Sequence, residues 1–219
     1  MCPAIDLRTL SGTTVRAIPP LRAFLRYIRS QVDARRRKPH DHFLSALVAV
    51  EESGGRLNTD ELVAMVFLLL IAGHETTVNL IGNGMLTLLQ HPHQMAPLRD
   101  APAGVDTAVE ELLRYAGPLD MATERFARED ITLGDITIAM DAVVYAVLAS
   151  ANRDDGQFNQ PNRLDLTRQP NRHVAFGQGI HFCLGAPLAR LEGQDAIRWR
   201  KGLVLRGVTR LPVTFERRL

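Results

Sequence analysis

The chain has 219 residues, 46% of them hydrophobic and 23% charged. That is enough apolar material for one domain with a sizeable core and too much for a disordered chain. A net charge of +2 with the basic residues spread along the sequence argues against a nucleic-acid binder. The one basic run, Arg35-Arg36-Arg37-Lys38, reads as a solvated helix end before Pro39. Cys2 and Cys183 stand at opposite ends and build neither a disulfide framework nor a zinc spacing, so a reducing cytoplasm is expected. The start lacks the basic and apolar regions of a signal peptide.

Taken in chain order, residues 1–20 read as irregular. Leu21, Phe24, Leu25, Ile28 and Val32 recur at helical spacing, in a helix that stops before Pro39. Asp41 is the predicted cap of a second helix carrying Phe43, Leu44, Leu47 and Val48, broken at Gly54-Gly55. Thr59 opens a long helix to about Gln90. From Leu62 to Ala72 it is apolar on every side, which predicts a buried helix through the centre of the fold. The apolar run from Leu62 to Gly73 falls short of the ~20 residues of a membrane span, so no membrane partner is expected.

Asp106 to about Tyr115 reads as a short helix ending before Gly117-Pro118. Ile131-Thr132-Leu133 and Ile136-Thr137-Ile138 around Gly134-Asp135 read as a hairpin. Val143–Leu148 suits strand or helix. The stretch from Asn152 to Gly179 is irregular and long enough to suggest a functional loop. A helix follows from Cys183 to about Ile197, and Leu203–Phe215 alternates like a strand. The fold class is mainly α with small β-sheets, α+β, in a single domain over 1–219.

Three motifs carry chemistry. In Phe176-Gly177-Gln178-Gly179-Ile180-His181-Phe182-Cys183-Leu184-Gly185, two glycines allow a tight turn and close approach to a flat ligand. Cys183 stands at the start of a helix, where free amides and the helix dipole favour thiolate, the form that binds iron. Ala72-Gly73-His74-Glu75-Thr76-Thr77 lies inside the long helix, with small residues that leave room beside it and an acid next to a hydroxyl. A zinc site of the His-Glu-x-x-His type fails there, because the second His falls on Val78. The third motif is Glu110-Glu111-Leu112-Leu113-Arg114, with Glu111 and Arg114 on one helix face.

The order and content of these motifs resemble the cytochromes P-450, most of all the soluble bacterial enzymes that hydroxylate macrolides and other secondary metabolites. The resemblance runs from about Leu21 to Phe215. It implies a partial cytochrome P-450 fold, with the long central helix over a Cys-ligand loop, and haem b (iron protoporphyrin IX) as cofactor. Cys183 would ligate the iron, within a cradle of Phe176, Gly177, Gly179 and Gly185. Ala72 and Gly73 would shape the oxygen pocket, and Glu75 and Thr76 would relay protons to dioxygen.

On the same resemblance, Arg125 and His181 would meet the haem propionates. Glu111, Arg114 and Arg163, the last in Phe158-x-x-Pro161-x-Arg163, would form a structural network behind the Cys loop. Val66, Leu69, Met121, Ala122, Thr123 and Val204 would line the pocket for a small organic substrate. Electrons would pass from NAD(P)H through a ferredoxin or flavodoxin-type partner, with Arg172, Arg190 and Arg198 as docking cations.

The sequence departs from the family pattern in three places. It starts where the family is about half finished, it shortens the helix after Cys183, and Met140-Asp141-Ala142 lacks the usual Pro and Gly. Two function classes therefore follow: a haem-thiolate monooxygenase, or a truncated, inactive remnant that binds haem or a partner at most.

Overall fold

The computed structural model of the chain describes residues 12–54, 57–100 and 104–197. It is mostly helical with two small sheets, in the order α1(Gly12–Arg37), α2(Phe43–Glu52), α3(Thr59–Gln90), α4(Pro92–Asp100), α5(Val105–Ala116), β1(Arg125–Phe126), β2(Ile131–Leu133), β3(Ile136–Ile138), β4(Val143–Val144), α6(Leu148–Ala151) and α7(Ala186–Ile197). The expected strand over 203–215 lies outside the described residues. The chain divides into two compact units, Met1–Ala72 and Gly73–Leu219.

In the first unit, α1 and α2 pack on the beginning of α3. Ile28, Val32, Val48, Leu62 and Val63 form the buried core, flanked by Phe24, Leu25, Leu44, Leu47, Val66 and Phe67. The edge-to-face pair Phe24–Phe67, with centroids 5.8 Å apart, adds directional packing. Helix α1 begins at Gly12 and carries Pro19 and Pro20 within it, so residues 12–20 are helical rather than irregular.

Asp41 is exposed and does not cap α2. The cap position belongs to the extended residue His42, which makes no side-chain cap bond. Helix α3 is capped properly. Asn58 Oδ1 accepts the amides of Asp60 and Glu61, each at 3.0 Å, and Glu61 Oε2 accepts the Asn58 amide at 2.8 Å. This reciprocal box satisfies donors that a helix start otherwise leaves orphaned. Of the basic run, Arg36 donates to Glu51 at 2.7 Å and to Thr59 at 3.0 Å. It ties three helices together and holds the Glu51 carboxyl below the usual carboxylate range.

The expected all-round burial of α3 is not met. Leu62 and Val63 are buried, but Leu68 is 63% and Ile71 47% exposed. A helix that is apolar on all sides needs neighbours on all sides, and this unit supplies α1 and α2 along one side of its first turns. By length and composition alone, α3 could cross a membrane. The core helix of a soluble protein meets the same criteria.

The second unit is built around α5. One of its faces packs with Leu88, Leu164 and Leu166 through Ala108 and Leu112. Another packs with Leu80, Ala175 and Phe176 through Val105, Val109 and Leu113. Two glycines let helices approach closely: a Cβ on Gly84 would meet Leu112 at 3.3 Å, and one on Gly193 would meet Val109 at 3.3 Å.

Strand β1 pairs antiparallel with β4, Arg125 opposite Val144. Strands β2 and β3 form the expected hairpin, Ile131 opposite Ile138, with Gly134 at φ +57 in the turn. At Met140-Asp141-Ala142, where the family's Pro and Gly are missing, Asp141 itself takes φ 63. Its amide donates to the Ala127 carbonyl at 2.8 Å. The chain from 152 to 178 holds neither helix nor strand. Its fixed path comes from the polar contacts described next.

Candidate functional site: a cysteine loop behind a buried charge knot

Glu111 and Arg114, three apart on α5, are both buried, each side chain 0% exposed. Arg114 Nε and one terminal nitrogen grip the two Glu111 oxygens at 2.8 Å each. The other terminal nitrogen donates to the carbonyls of Asn152 and Pro161, both at 2.8 Å. Glu111 also accepts the Asp165 amide at 3.0 Å, the Asn171 side-chain amide at 3.1 Å and Arg168 Nε at 3.1 Å. A buried ion pair is tolerable only when every lone pair and proton finds a partner. This one does, and its partners are the irregular segment itself.

The third member of the knot is thus Arg168, not Arg163. The Arg163 side chain is exposed and turns to Gln160 at 3.2 Å, and only its carbonyl joins the network, accepting from Arg114 and Arg168. Arg163 stands beside Pro161 in a turn, where its side chain points outward. Five residues on, Arg168 returns toward α5. The signal available was the alternation Leu164-Asp165-Leu166, whose leucines are both buried against α5 and bring Arg168 round to Glu111.

A second polar cluster flanks the Cys loop. Glu110 on α5 accepts from Arg190 on α7, at 2.5 Å and 3.0 Å, and from His173 Nε2 at 2.9 Å. The Ala175 amide donates to His173 Nδ1 at 3.2 Å, so the ring proton sits on Nε2, facing Glu110. Burial pushes the Glu110 carboxyl up, but the bonds from His173 and Arg190 outweigh it and hold the pKa at about 2. The Arg190 guanidinium also lies 4.6 Å from the centre of the Phe176 ring, within cation–π range.

Between His173 and Arg190 runs the loop. Gly177 and Gly179 take φ +71 and +69, a region closed at low cost to residues with a Cβ. The Cys183 amide donates to the Phe176 carbonyl at 2.9 Å, closing the loop on itself. A Cβ on Gly185 would come within 3.8 Å of the Cys183 sulfur. Helix α7 starts at Ala186, later than expected, which leaves Cys183 just ahead of its first turn. The thiol is free and exposed, as are Ile180 (98%) and Leu184 (91%) beside it.

The remaining expected positions fall as follows. Gly73, His74 and Glu75 are exposed on α3, and Thr76 is half-buried. Nothing lies within 4 Å of a Cβ placed on Gly73. His181 is exposed in a short turn of 3-10 helix, Gly179–His181. The Arg125 guanidinium bonds the carbonyls of Thr123 and Glu124, each at 3.1 Å, and the Thr123 hydroxyl. Met121 and Thr123 are exposed and Ala122 half-buried. Leu69 is exposed on α3, whereas Val66 packs against the core of the first unit.

Val204 and Arg198 lie outside the described residues. Arg172 is exposed, and the half-buried Arg190 is paired with Glu110. Among the described residues no three His, Cys, Asp or Glu side chains group as metal ligands.

Comparison with known proteins places this geometry. The family model described as Cytochrome P450 matches residues 14–101 and 105–197. The polyketide biosynthesis cytochrome P450 PksS of Bacillus subtilis (strain 168) is 45% identical over 216 residues, covering 90% of this chain and 53% of that protein. The 6-deoxyerythronolide B hydroxylase of Saccharopolyspora erythraea is 42% identical, covering 89% of this chain and 53% of that protein. The solved structure of PksS superposes with a TM-score of 0.81 at 47% identity, covering 89% of this chain and 50% of that one. The chain thus spans about half the length of the curated relatives it matches. With identity at this level sustained across nearly all of its length, the chain belongs to the cytochrome P450 family.

Proposed function

We propose that this chain supplies the haem-thiolate portion of a monooxygenase that hydroxylates a small secondary metabolite, a polyketide-derived one by the name of one relative. The observation that carries the reading is Cys183. Its sulfur is exposed ahead of α7, in a loop closed by the bond from its own amide to Phe176 and opened to a flat ligand by Gly177 and Gly179. The donor set fits a haem: one thiol at a helix start, an aromatic ring at Phe176, and glycines where a Cβ would meet the His181 carbonyl or approach the sulfur. Bound there, the haem would supply dioxygen activation.

Each residue then has a task of its own. Cys183 would give the thiolate, just ahead of the first turn of α7. Arg125 and His181 would pair with the propionates. Gly73, with Ala72 before it, leaves open the side of α3 where oxygen and substrate would lie. Glu75 would take protons from water and pass them toward Thr76, whose hydroxyl would deliver them. Met121, Ala122 and Thr123 would bound the substrate. Electrons would come from NAD(P)H through a ferredoxin or flavodoxin-type protein docking near Arg172. In this reading α3 is a core helix and the protein is cytoplasmic.

A second reading rests on the exposed apolar stretch of α3: a chain that binds haem weakly, or a partner, and does not turn over. Haem titration of the purified chain, followed by the reduced carbon-monoxide difference spectrum, decides between them. The expected result is a Soret band at the thiolate position that disappears in Cys183→Ala. No haem uptake at all, or an identical spectrum from Cys183→Ala, would overturn the first reading.

A further inference from the structure

We propose that Glu110 is a positioning residue for Cys183, clamping the two flanks of its loop so that the sulfur stands at a fixed place. The inference rests on the haem-thiolate reading for its purpose, but not for its geometry. The loop enters at His173 and leaves into α7. Both ends are held by one carboxylate on α5: His173 from the entry side at 2.9 Å, and Arg190 from the exit side through two bonds.

The neighbouring Glu111–Arg114 knot does a different job. Its partners run from Asn152 to Asn171 and stop before the loop begins, so it fixes the approach and not the cysteine. Arg190 completes the clamp by lying over Phe176, whose carbonyl receives the Cys183 amide. A path of contiguous contacts therefore runs from Glu110 through Arg190 and Phe176 to the backbone of Cys183. Charge-assisted, two-pronged bonds are the kind that hold an orientation as well as a distance. Groups of this type behind a metal ligand fix its aim.

The test compares Glu110→Gln, Arg190→Gln and the double variant with the parent chain, and uses Glu129→Gln as an exposed control. The first readout is amide hydrogen exchange of the haem-free full chain. At Gly177, Phe182 and Cys183, exchange should quicken about tenfold, equivalent to about 1.4 kcal/mol of local opening. Amides of α1, α2 and the body of α5 should keep their parent rates. The double variant should exchange no faster than the worse single one, because the pair acts as a unit.

The second readout, after haem addition, is the share of the carbon-monoxide band at the thiolate position, which should fall in all three variants and not in the control. Loop amides at parent rates, or quickening spread evenly over the whole chain, would overturn the proposal. Should Glu110→Gln not fold, Arg190→Gln reads the same clamp from the other side. Because the exchange measurement uses no haem, it stands even if the parent chain fails the haem titration.

Discussion

The knot on α5 and the middle of α3 are opposites. Glu111 and Arg114 are the most polar pair the chain could bury, and they are fully enclosed with bonds on every side. Leu68 to Ile71 are among its most apolar residues, and they face solvent. Burial here follows the supply of partners and not hydrophobicity alone. The charged pair has a ready set of carbonyls and amides from 152–171 within its own unit. The leucines have neighbours on one side of their helix only. What supports the cysteine loop is thus self-contained in this chain, while the face where chemistry is expected is left open.

The comparison is broken most directly at Glu111. Its removal as Glu111→Ala strands Arg114 and Arg168 without their carboxylate, and should destabilise the second unit by about 3–5 kcal/mol. Urea denaturation followed by circular dichroism checks this, and a loss below about 1 kcal/mol would mean that the knot is not the anchor described.

Acid should act next, through Glu110. Its folded pKa of about 2 lies below the ordinary carboxylate value of 4.5. A group with a depressed folded pKa stabilises the fold fully above its unfolded value and loses that contribution as pH falls toward the folded one. The window is therefore about pH 4.5 down to about 2. Glu110→Gln should flatten the slope of stability against pH within it and leave the slope above pH 5 unchanged.

The smallest effect is expected on the open face. Leu68→Lys should change stability by no more than about 0.5 kcal/mol, since it uncovers nothing that is buried. It should also reduce self-association in analytical ultracentrifugation, because exposed apolar stretches are association surfaces. A loss of more than about 2 kcal/mol would show that the leucine is buried in solution.

Much of the architecture was readable before any coordinates. Helical spacing located α2, α3 and α5, and Gly134-Asp135 located the hairpin, because period and turn chemistry are local properties. The glycine positions around Cys183 foretold a tight loop for the same reason. Other features were not readable. Asp41 missed its cap because the helix begins at Phe43, which puts His42 in the cap position. Residues 12–20 are helical despite two prolines. Helix α4 and strand β1 are too short to carry a periodic signal.

Sequence alone determined which residue types stand next to one another along the chain: the cysteine among its glycines, the acid beside the threonine, the Glu and Arg three apart. Only the tertiary structure decided which groups meet across long intervals. Arg168 rather than Arg163 closes the knot, and Arg190 meets Glu110 across 80 residues. A side chain's partner over such a distance depends on how the intervening backbone returns, and that path is set by packing against α5, which no local pattern encodes.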